Sequence, residues 1–109
     1  MPAMKTQDWF RRTEAVLYEM KTMNAGIAKL EKRTDECSKA LLLEKLTLKS
    51  ELEESINQLI PADQRFITDY YVLGVTQVAM SLSYGLAQAT WYRKRNMLVK
   101  KIAQYMGYV

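Results

Sequence analysis

The side chains of this 109-residue chain that are suited to chemistry are its cations rather than its nucleophiles. Histidine is absent and Cys37 is the only cysteine, which excludes an internal disulfide and a thiolate zinc site built by this chain alone. Proton transfer near neutral pH would have to rest on carboxylates, lysine or tyrosine, and the sequence has no nucleophile motif or glycine-rich phosphate loop. We therefore expect a protein that is not an enzyme and uses no cofactor or metal.

The net charge of +4 comes entirely from the C-terminal half of the chain. Residues 1–60 carry ten basic and ten acidic side chains, whereas residues 61–109 carry six basic and two acidic ones. Five of those six cations are clustered: Arg93, Lys94, Arg95, Lys100 and Lys101. Such a cluster is typical of a surface that binds nucleic acid, with a solvated helix face as the simpler alternative.

The elements that precede this cluster are predicted to be two long helices. Apolar residues recur at steps of three and four from Gln7 to Lys32, with Thr13 interrupting them. The polar stretch Arg33–Glu36 breaks the pattern, Thr34 or Asp35 can cap a second leucine-rich helix, and that helix stops before Pro61. Residues 1–60 are therefore predicted to form an antiparallel helical hairpin, with an intermolecular coiled coil in a homodimer as the alternative.

Residues 61–109 are predicted to form three further helices, which makes the whole chain all-α. A first helix buries an aromatic face and ends at Gly74, because glycine accepts the left-handed conformation. A short helix over 75–82, a turn over 83–85 and a long helix from Leu86 to Met106 follow, and Gly107 ends the last one. The predicted architecture is a hairpin followed by a helix-turn-helix domain.

The helix-turn-helix prediction rests on the spacing of small and apolar residues. With Val75 as the first position, Ala79 is the small fifth residue at which the two helices cross. The apolar positions of the unit are then Val78, Leu82, Tyr84, Ala89 and Tyr92. Two residues depart from the usual pattern: Ser83 is ninth, where glycine is common, and Gly85 is eleventh, where serine or threonine would cap the third helix.

The third helix is predicted to contact double-stranded DNA with its first turns. Its outer face is expected to present Leu86, Ala87, Thr90, Trp91 and Lys94, with Ala89 and Tyr92 on the inner face. Gln88, Thr90 and Lys94 are of types that recognise base edges, while Arg93, Arg95 and Lys101 are placed to bind phosphates. The predicted DNA-binding residues are Gln77, Leu86, Ala87, Gln88, Thr90, Trp91, Arg93, Lys94, Arg95 and Lys101.

Residues 66–108 resemble region 4 of bacterial sigma factors, and resemble still more the small phage regulators of the ArpU and RinA-like kind. The residues that carry the resemblance are Tyr70-Tyr71, Gly74, Val78-Ala79, Thr90 to Arg95, Leu98 and Met106-Gly107-Tyr108. The resemblance implies control of late phage operons, or of host genes under phage-derived control, by a protein that binds near a promoter and touches RNA polymerase.

The leading hypothesis is therefore a DNA-binding transcriptional regulator in the bacterial cytoplasm. No apolar run is long enough for a membrane span, so no membrane partner is expected. The alternatives are an adaptor that binds RNA polymerase or another regulator, and a helical phage packaging or structural protein.

Overall fold

The computed structural model describes residues 6–109, and in this range it contains helices and no strand, which confirms the all-α class. The helices are α1 (Thr6–Glu31), α2 (Glu36–Asn57), α3 (Pro61–Ile67), α4 (Gln77–Tyr84) and α5 (Gln88–Met106), and α3 continues into a wider π-turn over Thr68–Val72. None of these helices is long and apolar enough to cross a membrane.

The first two helices pack against each other within the chain. Only residues 32–35 separate them, so α2 runs back along α1. The carboxylate of Asp35 accepts a hydrogen bond from the backbone N–H of Ser38 at 3.0 Å, which confirms Asp35 as the N-cap of α2. Glu19 and Lys45 form an ion pair across the two helices at 3.3 Å.

The inner face of α1 is wider than the predicted stripe. Thr13, which interrupts the apolar pattern, is itself buried, and its hydroxyl donates to the carbonyl of Trp9 at 2.7 Å. This bond satisfies the polar group inside the core. Leu17 is also fully buried.

The aromatic face predicted for the first helix after Pro61 is confirmed in α3 and the π-turn. Phe66, Ile67 and Tyr71 are buried and Tyr70 is half-buried. In the π-turn the backbone N–H of Leu73 donates to the carbonyl of Thr68, five residues back. Gly74 then has a φ of +70°, a left-handed conformation that lets the chain leave the helix.

A single cluster of buried side chains runs across the predicted boundary at Pro61. It contains Trp9 and Leu17 of α1, Leu52 of α2, and Trp91 and Ile102 of α5. The helices α1 and α2 each pack against α5. The surface of α5 is therefore set by residues on both sides of Pro61.

This shared core predicts that a change in α1 will destabilise the whole chain, including residues 61–109. Leu17→Ala should lower the free energy of unfolding by about 2–5 kcal/mol, the usual range for a fully buried leucine. Denaturant unfolding should be followed in parallel by tryptophan fluorescence and far-ultraviolet circular dichroism. We expect both signals to shift together as one transition, and a separate, unshifted transition for residues 61–109 would contradict the shared core.

Candidate nucleic-acid interface

The turn between α4 and α5 lies two residues later than predicted. The hydroxyl of Thr76 caps α4 by accepting from the backbone N–H of Ala79 at 3.2 Å, so α4 begins at Gln77 rather than Val75. At the other end Gly85 has a φ of +65°, and the N–H of Leu86 donates to the carbonyl of Ser81 at 2.9 Å. The turn is therefore Gly85–Ala87 and not residues 83–85, because its first residue is the left-handed Gly85 and not Ser83.

The predicted assignment of buried positions in this unit is consequently wrong. Ala79, expected at the helix crossing, is exposed, and so is Ala89. Val78 is 65% exposed, Leu82 80% and Tyr92 41%. Only Tyr84 among the predicted positions is partly buried.

A count that begins at Gln77 places more of the predicted apolar positions in the core. Gly85 then takes the ninth position, where glycine is common, and the small residue Ser81 takes the fifth. The fourth and fifteenth positions become Met80 and Trp91, which are 1% and 0% exposed. The position of Gly85 was the signal in the sequence that could have fixed this register.

Trp91 cannot contact DNA, and its predicted place on the outer face is wrong. Its indole ring is fully buried, with ring centroids 4.9 Å from Tyr70 and 5.7 Å from Phe66. The indole Nε1 has no hydrogen-bond partner among the described residues. Trp91 instead anchors the first turns of α5 to α3 and the π-turn.

Two of the five clustered cations are engaged inside the protein. The ammonium of Lys94 lies 3.2 Å from the carboxylate of the buried Asp63. The guanidinium of Arg95 lies 3.4 Å from the carboxylate of Glu14 and 5.2 Å from the ring centroid of Phe10, with only 18% of its side chain exposed. We therefore exclude both from the interface, in contrast to the prediction from sequence.

The burial of Trp91 leaves one face of α5 open to solvent, and we call it the outer α5 face. It consists of Thr90, Arg93, Met97, Lys100 and Lys101, which helical spacing brings to one side, together with the exposed residues Ala87 and Gln88 at the start of the helix. All seven are exposed, and Arg93, Lys100 and Lys101 form no ion pair within residues 6–109. Five of these seven residues were predicted from sequence.

The two remaining predicted residues lie at the edge of the unit. Gln77 is half-buried at the start of α4, and its side-chain amide donates to the hydroxyl of Ser81 at 2.7 Å. Leu86 is half-buried and packs against the core. Neither belongs to the outer α5 face, and for Leu86 the predicted outward orientation is wrong.

One cation near α5 was not found from sequence. The exposed Arg12 of α1 places its guanidinium 4.1 Å from the ring centroid of Tyr108. Tyr108 folds back onto α5 by donating its N–H to the carbonyl of Ala103 at 2.8 Å. Arg12 thus adds positive charge near the C-terminal end of α5, although it belongs to a half of the chain that is neutral overall.

Comparison with known proteins yields no match, whether with family models, curated proteins or solved structures.

The revised register predicts opposite effects for two substitutions in α4. Ala79→Leu should leave the melting temperature nearly unchanged because Ala79 is exposed. Ser81→Leu should lower the free energy of unfolding by about 1–3 kcal/mol, because a larger side chain overpacks this partly buried position. Thermal unfolding of the two variants measures this difference. The reverse order of stability would restore Ala79 to the crossing.

Proposed function

We propose that this protein is a DNA-binding transcriptional regulator that places the outer α5 face in the major groove. The observation that carries the proposal is the position of Arg93, Lys100 and Lys101. All three are exposed on the helix that follows the Gly85–Ala87 turn, and they form no ion pair with any residue in the range 6–109. In helix-turn-helix proteins the second helix of the unit enters the major groove, with the residues of its first turns nearest the bases.

The start of α5 is suited to contacts with bases and with phosphate. Gln88 can pair with adenine, and Ala87 and Thr90 can contact a thymine methyl group. Ala87 is the N-cap and offers no side-chain oxygen, so the first N–H groups of the helix are not capped by it. Unfilled donors at a helix N-terminus favour a nearby anion such as a backbone phosphate.

The cations further along α5 are suited to the DNA backbone. Arg93 lies one helical turn after Ala89 and Thr90, while Lys100 and Lys101 extend the positive surface for two more turns. Contacts of this kind fix the orientation on the duplex and contribute most of the salt-dependent affinity. Arg12, held against Tyr108, would add to them near the C-terminal end of α5.

The resemblance to sigma region 4 and to ArpU and RinA-like phage regulators supports the same function and narrows it. We propose promoter binding in the bacterial cytoplasm, with late phage operons or phage-derived control of host genes as the setting. A homodimer would strengthen such binding, since helix-turn-helix dimers read two half-sites about one helical turn apart.

A second candidate function is an adaptor that binds RNA polymerase or another regulator. The observation that favours it is the outward side of α4, where Val78 and Leu82 lie one turn apart and are 65% and 80% exposed. Adjacent exposed apolar side chains are typical of protein contacts when they form part of a larger patch. The two functions are compatible, because α4 and α5 present different faces.

The DNA-binding proposal predicts distinct effects for a phosphate-binding cation and for a residue that contacts a base. Arg93→Ala should weaken binding to promoter and random duplexes alike, and should reduce the slope of log K against log salt by roughly one unit. Thr90→Ser, which keeps the hydroxyl but loses the methyl group proposed to contact thymine, should weaken binding to the cognate duplex more than to the random one. Fluorescence anisotropy at several salt concentrations measures both effects.

Two control variants separate surface charge from stability. Lys32→Ala removes an exposed cation from the turn between α1 and α2 and should leave the salt slope unchanged. Arg95→Ala should instead lower the melting temperature, because it removes the partner of Glu14. If Arg93→Ala and Lys32→Ala behave alike on DNA, the outer α5 face is not the interface.

A further inference from the structure

The solvent side of α2 carries a regular stripe of exposed residues, which we call the α2 stripe. Its members alternate in steps of three and four, the spacing of a helix that packs along another helix. They are Glu36, Lys39, Leu43, Leu46, Ser50 and Glu53, and all six are exposed. The stripe is separate from the leucines of the same helix that pack against α1 and α5.

The centre of the α2 stripe is apolar, and a cation and an anion flank it on opposite sides, with Glu36 beyond the cation. Leu43 is 67% exposed and Leu46 42%, although leucine side chains at neighbouring positions of a stripe normally find a partner. Lys39 lies one turn before the leucine pair, and Glu53 lies on the other side beyond Ser50. A helix face on which a cation, two leucines and an anion follow one another is complementary to a second copy of the same face that runs antiparallel to it.

We propose that the α2 stripe binds the α2 stripe of a second copy of this chain in an antiparallel arrangement centred on Leu46. Leu46 then faces Leu46 of the second copy, and Leu43 packs one turn away beside Ser50. Lys39 faces Glu53 twice, once on each side of the two-fold axis. Both leucines are thereby covered, and Lys39 and Glu53 each find the opposite charge.

The charges select the antiparallel arrangement over the parallel one. A parallel pair would place Lys39 beside Lys39 and Glu53 beside Glu53, and like charges at these positions are unfavourable. On one flank of the stripe Thr47 would lie near Thr47 and Ala40 near Glu54, so no like charges are opposed on that side. Lys49 lies 3.9 Å from Glu53 in the same helix, but 62% of the Glu53 side chain remains exposed.

The proposed dimer leaves the outer α5 face free. The α2 stripe and the outer α5 face are both exposed in the same fold, and they share no residue. The dimer does not depend on the proposed DNA binding, and each can be tested without the other. If both hold, the complex carries two outer α5 faces related by a two-fold axis.

The apolar centre is tested with two leucines of one helix. Leu43→Gln should weaken self-association by about tenfold or more, as expected for an apolar residue at the centre of a small interface. The control is Leu41→Gln, because Leu41 is also 49% exposed but lies outside the stripe. Sedimentation equilibrium over a range of protein concentrations measures the dissociation constants, and circular dichroism checks that both variants are folded. Equal effects of the two substitutions, or a wild-type chain that stays monomeric, would overturn the proposal.

The orientation is tested by charge reversal. Lys39→Glu and Glu53→Lys should each weaken the homodimer, because each places like charges opposite one another at both ends. The double variant should recover the wild-type dissociation constant, and a mixture of the two single variants should form the heterodimer in preference to either homodimer. A parallel pair already opposes like charges at both positions, so each single variant would keep a dissociation constant near that of the wild type, and that result would contradict the antiparallel arrangement.

Discussion

The carboxylate of Glu14 connects α1 to both the π-turn and α5, and these contacts fix the position of α5. Glu14 belongs to α1, accepts a hydrogen bond from the Tyr71 hydroxyl of the π-turn at 2.7 Å, and lies 3.4 Å from the guanidinium of Arg95 in α5. Burial, followed by the bond to Glu14, raises the pKa of Tyr71 well above its usual range, so Tyr71 keeps the proton that it donates. Trp91 completes the junction by filling the space beside Tyr70.

This junction divides the cations of α5 into two groups. Arg95 is half-buried over aromatic rings, and Lys94 pairs with the buried Asp63, so both stabilise the fold. With this side of the helix fixed inward, Arg93 and Lys101 lie toward solvent. The charge asymmetry in the sequence is therefore only partly available to a partner, because internal carboxylates compensate two of the five clustered charges.

The sequence predicted the helices well and their rotation poorly. Strong local signals set the ends of α2 and α5, namely the capping side chain of Asp35 and the left-handed Gly107. The side of α5 that faces the core depends instead on where the count of the α4–α5 unit begins, at Val75 or two residues later at Gln77, because each count buries a different set of residues. Apolar types at Val78 and Leu82 favoured one pattern, whereas the fold buries the other because α3 and the π-turn provide an aromatic site for Trp91. That site is built by tertiary contacts, and no local periodicity reveals it.

We propose that DNA binds to the outer α5 face, and backbone amide chemical shifts measured by NMR during titration with a promoter duplex test this proposal most directly. We predict that the largest chemical-shift changes fall on Ala87–Thr90, Arg93 and Lys100–Lys101. The amide shifts of Val78, Leu82 and the α2 stripe should stay unchanged. Changes concentrated on α4 or α2, with α5 unaffected at saturating duplex, would contradict the account.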